Sequence, residues 1–114
     1  FTGTLSGVIY LYTTIQFASR ITRGLLGLNP EDPQRDDLVN DAMGEIANMV
    51  VGHFKSRLTD RGIACVMTIP SIVRGSHLGI EAVSHTKVKR LSFRTGDHFL
   101  LAEILIQTPP SRAA

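Results

Sequence analysis

Three patterns in the 114 residues predict an α+β domain in which two main helices pack on a mostly antiparallel β-sheet. Segments 15–26 and 37–58 repeat their apolar residues at helical spacing. Residues 87–95 alternate apolar and charged side chains, and Gly96-Asp97 turns the chain into the apolar stretch 98–107, the signature of a β-hairpin. The segments are short and punctuated by Gly and Pro, which fits helices layered on a sheet of four to six strands. The length suits one core, so residues 1–108 are expected to form a single domain and 109–114 a C-terminal tail.

Residues 4–13 (TLSGVIYLYT) are rich in β-branched and aromatic types and predict a strand, with Gly3 or Gly7 marking a turn or bulge near its start. The chain opens on Phe1 within strand-like sequence, so a preceding segment is expected. Thr13 or Thr14 is placed to cap a helix over 15–26, in which Phe17, Ala18, Ile21, Leu25 and Leu26 recur at helical spacing. Gly24 weakens that helix and Gly27 ends it. Residues 29–36 (NPEDPQRD) form an acidic, proline-containing loop, and Asp36 or Asp37 is the expected N-cap of the next helix.

That helix, 37–58, is the centre of the pattern. Val39, Met43, Ile46, Val50 and Phe54 gather on one side and predict a core-facing stripe. Asp41, Glu45, Asn48 and Gly52, at steps of four, three and four residues, line the far side, with neighbouring Cβ atoms about 5–6 Å apart. A carboxylate and a carboxamide thus point the same way. Gly44 and Gly52 each cost the helix roughly 0.5–1 kcal/mol relative to Ala, which calls for compensation. Either a partner's backbone approaches there, or the glycines allow tight packing within the chain and Glu45 and Asn48 are ordinary solvated residues.

Gly62 closes the helix region, and the apolar run 63–69 predicts a strand stopped by Pro70. Residues 71–79 read as irregular, anchored by Ile72 and Val73, and 78–84 as a short strand. The hairpin follows, with Val88, Leu91 and Phe93 set mostly against Lys87, Lys89, Arg90 and Arg94. Pro109-Pro110 ends it.

Composition excludes several classes. With 43% hydrophobic and 19% charged residues the chain is globular, not disordered. It has no apolar run long enough to cross a membrane and no signal peptide at its start, so a cytoplasmic location is expected. A net charge of +2 argues only weakly for nucleic acid. Arg90, Phe93 and Arg94 suit a nucleic-acid face, but equally any half-exposed edge strand. The single Cys65, in an apolar run, reads as a buried, inert thiol. His53, His77, His85 and His98 lack metal-ligand spacing, so no metal site is expected. Neither a phosphate-binding glycine loop nor a GxSxG elbow is present.

The helix line is the remaining candidate. Asp41, Glu45, Asn48 and the distant Pro70, in the setting GEIANMVVG, resemble the acidic-residue, ExxN and proline pattern of the CheC/CheX chemotaxis phosphatases, CheX most of all. The similarity in element order covers about residues 5–106. It implies a phosphatase acting on the aspartyl phosphate of a CheY-like response regulator. Glu45 and Asn48 would be catalytic, Asn48 positioning the attacking water and Glu45 pairing with the regulator's active-site lysine. Asp41, Gly44 and Gly52 would border the partner. The resemblance also implies no cofactor of the chain's own, Mg²⁺ being supplied by the regulator, and a homodimer joined through the sheets. The first helix has no ExxN, so one site per chain is implied. The alternative is a non-catalytic module of the same fold that binds a response regulator or a flagellar-switch component.

Overall fold

The computed structural model describes residues 1–29, 36–75 and 86–107. In chain order these form β1 (Thr2–Gly3), β2 (Ser6–Thr13), α1 (Ile15–Leu26), α2 (Asp36–Asp60), β3 (Cys65–Val66), β4 (Thr86–Thr95) and β5 (His98–Gln107). The architecture is α+β, with two helices and antiparallel strand pairing throughout. Most of the acidic loop (30–35), the strand expected over 78–84, the tail 109–114, His77 and His85 lie outside the described residues.

The main sheet has the order β2-β5-β4. Thr95 pairs with His98, so Gly96 and Asp97 alone make the turn, and Gly96 adopts φ 58°, which glycine tolerates without steric cost. β2 lies on the other side of β5, in register from Ser6 opposite Gln107 to Thr13 opposite Leu100. Gly7 and Leu11 share one face of β2 by strand alternation. Leu11 lines a cavity with Ala18 of α1 and Val39 and Met43 of α2. Gly7 lies beneath Phe1, whose ring meets that of Phe54 of α2 with centroids 5.2 Å apart. This is therefore the helix-bearing face.

The strand expected over 4–13 runs from Ser6 to Thr13, and ahead of it Thr2–Gly3 pairs with β3 in a separate two-stranded sheet. The run 63–69 pairs only over Cys65–Val66. The reason is that Met67 turns to the helix, its sulfur lying near Gly52 of α2, and the ladder stops before it. Cys65 itself is buried.

α1 has the predicted bounds. Thr14 is the cap, its hydroxyl accepting from the Phe17 N–H at 3.1 Å. Gly27 closes the helix at φ 66°, donating its N–H to the Arg23 carbonyl. The buried line is Ala18 and Thr22, and the Thr22 hydroxyl satisfies itself by donating to the Ala18 carbonyl at 2.8 Å. Leu25 and Leu26, expected on the packed side, are each nearly half exposed.

α2 runs slightly beyond its predicted limits. It begins at Asp36, so Asp36 and Asp37 form its acidic first turn instead of its cap, where their charges favour the positive end of the helix. Val39 and Ala42 are its buried residues. Met43, Ile46 and Phe54 are half-buried, whereas Val50, expected in the core, is exposed.

The tightest steric demand in the sheet is at Gly7. A Cβ there would collide with the Leu105 carbonyl and stand 2.8 Å from the Phe1 ring. Gly7→Ala is expected to destabilise at the upper end of the roughly 1–3 kcal/mol typical of overpacking, read from the midpoint of urea unfolding.

Candidate functional site

Asn40, Gly44, Asn48 and Gly52 are spaced by four residues and so lie along one side of α2. A segment of the chain follows that line. A Cβ on Gly52 would stand 4.0 Å from the Met67 sulfur, and one on Gly44 3.9 Å from the Pro70 ring. Arg74 completes the series: its Nε donates to Asn40 Oδ1 at 2.9 Å and its Nη2 to the Asp36 carbonyl at 3.2 Å. Its Nη1 also stands 3.5 Å from the Asp36 carboxylate. Residues 67–74 thus run antiparallel to α2 as a strap. Extended chain of that length covers about 23 Å, and the helix from residue 52 back to 36 rises about 24 Å, so the two match along their length. Proline suits such a strap, since its fixed φ holds the chain extended and it has no N–H left without a partner.

The strap brings Pro70 against Gly44, one turn before Asn48, and so assembles the helix and proline parts of the pattern that lie far apart in sequence. Glu45 and Asp41 are exposed beside it, and Asn48 is half-buried. Neither Glu45 nor Asn48 makes a side-chain hydrogen bond or ion pair with the described residues. Both sit well inside a 25-residue helix, where the backbone is fixed on both sides. The result is a rigidly mounted carboxylate acceptor and, one turn on, a carboxamide with both donor and acceptor uncommitted.

The two glycines have no steric need among the described residues. Contacts of 3.9 and 4.0 Å are ordinary van der Waals separations, so alanine fits at either position. The cost of glycine in α2 is therefore not explained by the strap.

The cavity of about 330 Å³ between the end of β2, the start of α1, α2 and the strap is lined by Thr14, Ala18, Val39, Met43 and Arg74 among others, and by neither Glu45 nor Asn48. Beside the strap, Asp41 and Glu45 are exposed on the helix surface. On the sheet, Arg90 is already bound to the buried carboxylate of Glu103 at 2.5 Å, which takes it out of any basic patch with Arg94. Among the described residues no three His, Cys, Asp or Glu side chains are grouped to hold a metal ion. No helix among them is long and apolar enough to cross a membrane.

Arg74 and Met67 were not legible as site residues. Ile72 and Val73, the anchors expected in this stretch, are 42% and 72% exposed, and Arg74 holds the strap instead. Its partners lie 34 and 38 positions away, and no local pattern points to them.

A family model described as chemotaxis phosphatase CheX matches residues 1–94, which include α1, α2, the strap and most of β4. No curated protein and no solved structure matches the chain.

Because alanine fits at Gly44, Gly44→Ala is expected to raise stability by roughly 0.5–1 kcal/mol, measured by thermal or urea unfolding. A fall in stability instead would show that the Pro70 contact is what requires glycine.

Proposed function

The chain belongs to the chemotaxis phosphatase CheX family, and on that premise we propose that it hydrolyses the aspartyl phosphate of a CheY-like response regulator. The observation that carries this reading is the uncommitted pair Glu45 and Asn48, fixed one turn apart in the middle of α2 with Pro70 packed beside them.

In the proposed reaction the α2 surface docks over the regulator's phosphorylation site and Asn48 enters it. The carboxamide oxygen accepts a hydrogen bond from a water molecule and turns its lone pair toward the phosphorus, opposite the aspartyl oxygen. Water attacks, the bond from phosphorus to the aspartyl oxygen breaks, and the products are inorganic phosphate and the free aspartate. An amide is suited to this task because it orients water without acting as a strong base. An acyl phosphate needs little more, since the carboxylate leaves readily and positioning with charge balance supplies much of the catalysis. Glu45 accepts a hydrogen bond from the regulator's active-site lysine and so fixes the register of docking. Asp41 borders the same surface, whereas Gly44 and Gly52, expected to border the partner, face Pro70 and Met67 of the strap.

Mg²⁺ enters with the regulator's own acidic pocket in this reading, so the chain needs no metal-ligating cluster. A homodimer joined through the sheets belongs to the same proposal, supported by β4, which is an edge of the described sheet and exposed along nearly its whole length. The proposed place of action is the cytoplasm, where the regulator is found.

The test is the decay of a phosphorylated cognate regulator with and without the protein. Wild type is expected to accelerate decay, and Asn48→Ala to lower kcat by about 100-fold or more while leaving thermal stability and regulator binding nearly unchanged. Binding without acceleration by wild type would support a non-catalytic docking module instead.

A further inference from the structure

The polar line on α2 has an apolar border that folding does not use. Met49 lies one turn beyond Glu45 on the same side of the helix and is 54% exposed. Ile69 is the residue before Pro70 on the strap and is 90% exposed, although Pro70 itself is packed at Gly44. Scattered apolar residues on a surface are ordinary. These two are not scattered: one stands on the helix and one on the strap, and they flank the same carboxylate and carboxamide.

Resting on the phosphatase reading above, we propose that Ile69 and Met49 form the apolar rim of the docking surface and set the affinity for the regulator's phosphoacceptor domain, without taking part in hydrolysis. The occupant follows from the layout. Pro70 packs at Gly44, next to Glu45, so a large partner that engages Glu45 and Asn48 comes up against the strap beside Ile69. A small acyl phosphate reaching Asn48 has no atoms to cover the rim, whereas a folded domain does. Asp41 and Glu45 beside the rim residues call for a cationic group on that domain, next to apolar side chains. An apolar anchor beside a desolvated polar contact is the usual arrangement of an energetic centre in a protein interface. Methionine, unbranched and polarizable, adapts to a surface of this kind. The strap supplies rigidity, because Pro70 fixes the backbone beside Ile69 and Arg74 ties the far end to Asp36 and Asn40.

The test compares Ile69→Ser and Met49→Ser with Val73→Ser, a control at 72% exposure toward the other end of the strap. Each is assayed for phosphatase kinetics and for binding to the regulator carrying beryllofluoride on its aspartate. Ile69→Ser is expected to raise KM and Kd by about tenfold, the loss of one well-covered aliphatic anchor, with kcat and melting temperature unchanged. Met49→Ser should act in the same direction, and Val73→Ser should leave both constants as they are. Unchanged KM and Kd in Ile69→Ser, while Asn48→Ala still abolishes turnover, would overturn the rim and leave the phosphatase standing. An equal effect of Val73→Ser would overturn it as well, since the strap would then act as a whole. A shift of Ile69→Ser from dimer to monomer with unchanged KM would assign the residue to a contact between copies and overturn the proposal. If wild type binds the regulator without hydrolysing its phosphate, weaker binding by Ile69→Ser upholds the rim although the phosphatase reading fails. If wild type does not bind the regulator, both fall.

Discussion

The contact between α2 and the strap is the constraint on which the rest of the molecule depends. A helix of 25 residues with only Val39 and Ala42 buried is weakly held by its own apolar pattern. It is supported from several directions. α1 packs on one side, Phe1 reaches Phe54 toward the C-terminal end, and the strap runs along the line of Gly52, Gly44 and Asn40. The strap meets α2 at positions that have no side chain or a short amide, so it lies close and leaves the exposed polar side chains beside it free.

The sheet solves a different problem. Its central strand carries Glu103, which is 6% exposed, on the face opposite the one that bears the helices. A buried carboxylate is costly unless paired. Here both oxygens are engaged, one by Arg90 Nε from β4 and the other by the Tyr12 hydroxyl from β2 at 3.4 Å. The carboxylate thus ties both edge strands to the centre. Burial first, and then the Glu103 charge, push the Tyr12 phenol above its ordinary value of 10.0. The phenol donates only when protonated, so this tie is complete below pH 10 and is lost as the pH rises through the raised value. At neutral pH the phenol is protonated and the tie is in place.

Much of this was legible in the sequence wherever the determining contacts are local. α1 is bounded by Thr14 and Gly27, and the hairpin by Gly96-Asp97; each signal acts within a few residues of the feature that it produces. The line Asp41, Glu45, Asn48 and Gly52 follows from helix geometry alone. Failures occur where distant residues decide. The apolar run 63–69 carries the composition of a strand, but Met67 and Pro70 find their partners on α2, so pairing stops at Val66. Val50 satisfies the helical period of the core stripe and yet is exposed, because the supports of α2 do not reach that side at that level. Arg74 gives no local sign of its role, since Asp36 and Asn40 become its neighbours only when the strap is laid down.

The same contrast explains why one helix carries the candidate site and the other does not. α1 buries Ala18 and Thr22, and its polar positions Gln16, Arg20 and Arg23 line a hollow that also includes His98 of the hairpin. Two of them, Arg20 and Arg23, are cations, which cannot accept a hydrogen bond from a lysine ammonium and would repel it. On α2 the acceptor charge comes from Asp41 and Glu45, and the neutral amide follows one turn later. A reaction that needs its attacking water held while a neighbouring cation is balanced requires that order of groups on a single rigid face. Only α2 provides it among the described residues. Its low burial fits the proposed docking, in which this face meets another protein's reaction centre and not its own chain.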